Sequence, residues 1–216
     1  NLVMIEESAD ESLWPQMNRE ANCGPKAGAS LVQWPVVDLQ WGRWTALYPD
    51  TKVIAKDTGF DFNYDPSANP YEGYERPTND DLFVPMPIDD RRPPKERVLG
   101  LPQRQGGLAY PFQELAEAPQ RVLSATLGEQ PVVIFWNRSA WAAMAYVPTV
   151  DGRQLSFEVR NGAIIDTQTE STWSVAGQAL SGPLVGARLA PIEEAYTAFW
   201  FAWAAFQPDT EVWTAD

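Results

Sequence analysis

The sequence predicts a β-rich α+β fold, with antiparallel sheets and two internally repeated hairpin–loop–strand–Trp-helix units. Two observations carry this. The template W-x2-W-x4-P-D-T-x-V occurs twice, at Trp41, Trp44, Pro49, Asp50, Thr51 and Val53, and again at Trp200, Trp203, Pro208, Asp209, Thr210 and Val212. Between the copies, short apolar runs bounded by Gly and polar turns follow one another at hairpin spacing. The likeness extends upstream: Glu11-Ser12-Leu13-Trp14 answers Glu170-Ser171-Thr172-Trp173, and Gly24, Pro25, Gly28 and Leu31 answer Gly182, Pro183, Gly186 and Leu189. A shared order of motifs of this kind is the mark of an internal duplication, here of a unit of roughly 45 residues.

The chain divides on this basis into one domain with internal duplication. Repeat copy one, about 1–55, opens with a strand at 2–5, an acidic turn and a second short strand ending at Trp14. Gly and Pro make 18–30 a loop. A short strand is predicted at 31–37, then a helix at 39–48 with Asp38 as its N-cap and Pro49 as its stop, then a strand at 52–55. The excursion at about 56–96 is acidic and dotted with proline, yet too aromatic for disorder, and is expected to cover a face or edge. The middle, about 97–160, reads as a hairpin of 97–101 with 108–111, a short helix at 112–117, and strands at 121–127, 132–136, 142–147 and 155–159. Repeat copy two, about 161–216, ends in a helix from about 191 to 206 whose last part is apolar all round, the pattern of a buried helix. Both Trp pairs are expected in the core, since burial of a large aromatic stabilises by roughly 3 kcal/mol. An exposed aromatic platform for a flat ligand such as a sugar is the alternative.

Composition excludes several functions. Among 216 residues, 16 Lys and Arg face 29 Asp and Glu, a net charge of −13. Phosphate binding needs clustered cations, so neither nucleic acid nor an anionic membrane surface is an expected partner. There is no histidine and one cysteine, Cys23, which removes imidazole-based catalysis, imidazole metal sites and an internal disulfide. No apolar run is long enough to span a membrane. The opening Asn1-Leu-Val-Met reads as the inside of a strand rather than a natural terminus.

Three stretches hold candidate site residues. Asp61, Asn63, Asp65 and Glu72, with Ser67 and Asn69 between, fall at the offsets of a calcium loop, although Pro66 stands where such a loop needs Gly. They are a candidate calcium or hard-cation site, against the plainer reading of a solvated acidic loop. Arg91 and Lys95, flanking a rigid Pro-Pro, are candidate contacts for an anionic ligand, against a turn held by a local ion pair. Asn137-Arg-Ser139 fits a glycosylation acceptor, a pattern common by chance. No catalytic residue stands out: nothing in the spacing selects a pair of carboxylates.

Several motifs occur together: Asn1-Leu-Val-Met, Ser12-Leu-Trp14-Pro-Gln-Met, the first Trp template, Asp57-Thr-Gly, Pro70-Tyr71, Arg92-Pro-Pro-Lys-Glu96 and Trp200-Phe-Ala-Trp203. In this the chain resembles the bacterial and haloarchaeal domain-of-unknown-function family numbered three-one-seven-nine, over nearly its whole length. The resemblance implies no activity. It does imply a longer N-terminus, with a signal or lipoprotein segment and a cysteine-containing motif, so the chain resembles the C-terminal portion of a member. Cys23 does not match that upstream cysteine.

The expected function is a non-enzymatic extracytoplasmic binding or assembly module, whose partner is a missing N-terminal segment or another protein. Two alternatives stay open: a calcium- or hard-cation-binding domain using the loop from Asp61 to Glu72, and a carboxylate-based hydrolase, which needs two inward-facing acids roughly 5–10 Å apart.

Overall fold

The computed structural model describes residues 3–7, 11–55, 57, 59, 71, 73–83, 86–103 and 106–215. In chain order the elements are β1 (Val3–Ile5), β2 (Leu13–Pro15), α1 (Trp41–Leu47), β3 (Arg97–Pro102), β4 (Gly107–Pro111), α2 (Phe112–Leu115), β5 (Gln120–Leu127), β6 (Gln130–Asn137), β7 (Ala142–Tyr146), β8 (Thr149–Val150), β9 (Arg153–Gln154), β10 (Phe157–Arg160), β11 (Ala163–Asp166), β12 (Thr172–Trp173), β13 (Ala179–Ser181), β14 (Tyr196–Phe199), α3 (Trp200–Phe206) and β15 (Glu211–Val212). The fold is β-rich α+β, as expected, and every strand pairing except β4 with β15 is antiparallel.

Period-2 alternation builds the layers. On β6, Val133 and Phe135 face a cluster with Ile164 and Trp173 of the β10-β11-β12-β13 sheet. Ile134 and Trp136 on its other face join Leu99 and Leu101 of β3. Val98 and Ala109, on the opposite face of the β14-β3-β4-β15 sheet, meet Trp200 and Trp203 of α3. The central β5-β6-β7 sheet is thus covered on both sides, which is why β6 reads as an unbroken apolar run. Glycine permits the tightest contact. Gly100 has no Cβ, and one placed there would lie inside the Trp203 ring.

Several expectations are corrected. The long C-terminal helix is only its second half: Tyr196–Phe199 pairs with β3 as a strand before α3 begins. Three of its four residues, Tyr196, Thr197 and Phe199, are aromatic or β-branched, and an available sheet edge outweighs weak helix propensity. Residues 31–37 and 52–55 form no strand. Asp38 does not cap α1; the N-cap is Gln40, and Asp38 instead pairs with Arg97 at 2.9 Å. Most consequentially, α1 contributes no buried residue, and Trp41 is 58% exposed. The two Trp helices are therefore not equivalent core elements.

Their local geometry is nonetheless the same. Ser12 and Ser171 are both fully buried, and their hydroxyls accept from Lys26 N at 3.1 Å and Leu184 N at 3.0 Å. Gly24 (φ 90°) and Gly182 (φ 88°) press against the backbone of those serines, a left-handed approach that a side chain would block. Trp44 and Trp203 each donate to a threonine hydroxyl, Thr51 and Thr210, and the helix C-caps have φ of −132° and −131°.

Candidate functional site

Residues 31–40 run extended, with alternate side chains turned inward and outward. Val37 and Leu39 lean on the cluster around Phe135 and Trp173. Val32, Trp34 and Val36 point out, at 83%, 81% and 76% exposure. Beside them lies a cleft of about 590 Å³, shared with Tyr196, Ala198 and Phe201. Its β14 wall is a sheet edge: among the described residues β14 pairs with β3 alone, so a row of its backbone groups faces outward. Gln33 Oε1 is buried in the lining without a hydrogen-bond partner. Burial pushes the Tyr196 hydroxyl up to about 12, so it stays protonated at neutral pH.

Apolar walls and an open strand edge suit an extended polypeptide. They do not suit carboxylate hydrolysis. Among the described lining residues Asp38 is the one carboxylate, and Arg97 already holds it. Exposed apolar residues continue in sequence at the start of α1 and after it: Trp41, Val53 at 69% and Ile54 at 87% are open, whereas Trp200 is fully buried and Val212 is packed against the α3 cluster.

Arg91 and Lys95 enter internal networks. Arg91 binds the Asp89 carboxylate, donates to the carbonyls of Pro208 and Thr210, and lies over the Trp200 ring, so it clamps the turn that ends α3. Its guanidinium holds the Asp89 carboxyl below the usual range. Lys95 is 1% exposed; its Nζ sits 3.5 Å from the Tyr74 ring centroid and donates to Asn79 Oδ1 and the Asp81 carbonyl. Next to it Glu96, also buried, accepts from Arg92 Nε and Nη2 and from Gln113 N, while Arg92 also reaches Glu114. The Arg-Pro-Pro-Lys-Glu run is thus a brace between the excursion, β3 and α3.

Asp61, Asn63, Asp65 and Glu72 lie outside the described residues. Among the described residues no group of three or more Cys, Asp or Glu is placed to hold a metal ion, and no helix is long and apolar enough to cross a membrane. Asn137 Oδ1 accepts from Ser139 Oγ and Ala140 N in a tight turn after β6. Cys23 is exposed. The cleft residues were missed in the sequence because alternation at 31–39 marks an extended segment without saying which face is covered. Both sets of alternate positions contain apolar residues, so the pattern is ambiguous on that point.

A family model described as "Protein of unknown function (DUF3179)" matches residues 1–210. No curated protein and no solved structure matches the chain.

Proposed function

The chain belongs to the DUF3179 family, whose description assigns no activity, and on that premise we propose that it is a non-enzymatic binding or assembly module whose partner covers the apolar surface of the first Trp segment. The observation that carries this reading is the contrast between Trp41, 58% exposed, and Trp200, fully buried, in two segments with the same local geometry. Isolated exposed apolar residues need no explanation, but Val32, Trp34, Val36, Trp41, Val53 and Ile54 are six within one short segment. The open β14 edge supports a partner that brings backbone N–H and C=O groups. Extracytoplasmic placement belongs to the same reading and rests on the resemblance to a family with signal or lipoprotein segments, since the acidic composition fits a salty cytoplasm equally well.

Hydroxyl-radical footprinting tests it. Trp34, Trp41 and Ile54 should be reactive in the purified 216-residue chain and protected in the protein's native setting. Equal reactivity in both would remove the proposal.

A further inference from the structure

We infer that the surface of the first Trp segment is the seat of a two-stranded β-hairpin built like β3–β4, supplied by a part of the same polypeptide upstream of Asn1. This rests on the binding reading above and names its partner.

The second Trp segment shows what such a seat holds. Its helix α3 is entered directly from β14 and followed by β15, and these two strands flank one hairpin: β14 pairs with β3, and β15 pairs with β4. The Trp203 ring lies on that hairpin where Gly100 and Gly107 leave room for it. The helix packs on the hairpin, and the strands on either side take its two edges.

The first segment repeats this frame without the filling. The helix stop has the same backbone angles, the same Trp-to-Thr hydrogen bond follows it, and the same buried serine organises the loop before it. Among the described residues, however, no strand pairs with 37–40, which leads into α1, or with 52–53, which follows it. These are the counterparts of β14 and β15. What the hairpin covers in the second segment is open in the first: Trp41 stands where Trp200 does, and Val53 where Val212 does. The missing element is therefore specified as two antiparallel strands with a glycine opposite Trp44.

Its place in the polypeptide also follows. Trp41 to Trp200 and Thr51 to Thr210 are both 159 residues apart. If the spacing extends beyond the matched motifs to β3–β4, a counterpart of that hairpin falls ahead of Asn1. A second copy of this chain is a poorer occupant, because its own β3–β4 is already held by α3, β14 and β15.

The test is footprinting of the purified full-length native polypeptide, alone and at low concentration, beside the 216-residue chain. Protection of Trp41 and Ile54 in the full-length protein, lost in a Val53→Lys variant that leaves Trp200 unreactive, is the expected result. Protection in the native setting but not in the purified full-length protein would overturn the hairpin and leave the binding reading standing. So would protection of the 216-residue chain that grows with its concentration, which would mean self-association. Reactivity in every sample would overturn both.

Discussion

Trp44 and Trp203 make the same hydrogen bond: each indole Nε1 donates to the threonine hydroxyl seven residues on, to Thr51 at 2.8 Å and to Thr210 at 3.0 Å. Among the described residues only Trp203 of the two has a sheet beneath it, and it is fully buried. The local bond is thus independent of the packing, and the two contribute separately to stability. Trp203→Ala is expected to cost about 3–5 kcal/mol, the range for loss of a buried large aromatic. Trp41→Ala, at an exposed site, should fall within about 0.5 kcal/mol. Urea denaturation of the two variants reads the difference, and similar midpoints would contradict the asymmetry.

Gly100→Ala is expected to destabilise by about 1–3 kcal/mol, because the new methyl group must displace the Trp203 ring in a packed layer. The cause is specific, so it can be relieved. In a Gly100→Ala, Trp203→Leu double variant the two effects should not add, since the smaller side chain frees the space that the methyl takes. Simple additivity in denaturation would mean that the ring is not the obstacle.

Much of this architecture was legible in the sequence, for a physical reason. The hairpin of β3 with β4 and the strands β5 to β7 are short apolar runs between turn residues, where local pattern and tertiary role agree. The same applies to the two Gly-Pro loops, whose conformation is set by left-handed glycines. What failed was anything decided by distant partners. Residues 196–199 became a strand because β3 offered an edge, and Trp41 is open because no sheet lies over it among the described residues. Identical motifs predicted identical burial, but burial depends on what packs against a motif and not on the motif. The roles of Arg91 and Lys95 were hidden in the same way, since their partners Pro208, Thr210, Tyr74 and Asn79 lie apart in sequence.

Lys95→Met should loosen the excursion. It keeps the apolar stem but leaves the Asp81 carbonyl without the Lys95 donor and Asn79 Oδ1 with the Asp81 N–H alone, a loss of roughly 2–3 kcal/mol. Hydrogen exchange should locate the effect, with faster exchange at 73–81 and at the start of β3. A global loss of stability with unchanged exchange at 73–81 would argue against this bracing role.

Acid should act on the same brace. Hydrogen bonds from Arg91 hold the Asp89 carboxyl below its ordinary range, and those from Arg92 do the same for Glu114. A carboxylate depressed in the folded state contributes stability that is complete above its unfolded pKa, about 3.9 for Asp and 4.3 for Glu, and is lost as pH falls through the folded value. The contribution of these pairs should therefore be constant from neutral pH down to about 5 and decline below about 4. Asp89→Asn should lower stability at neutral pH and flatten the acid limb of the profile. An unchanged acid limb would show that Asp89 titrates alike in the folded and unfolded states.

Ile54→Lys and Val32→Lys test whether the first segment's surface is really open in this chain. Ile54 is 87% exposed and Val32 83%, so each has little contact to lose. Substitution there should change stability by no more than about 0.5 kcal/mol. The added charge should also reduce any tendency to associate through the apolar surface, which sedimentation velocity over a range of concentrations measures. Destabilisation of more than about 1 kcal/mol by either variant would mean that the residue is already packed in the isolated chain. The surface would then need no partner, and the contrast between Trp41 and Trp200 would lose its functional meaning.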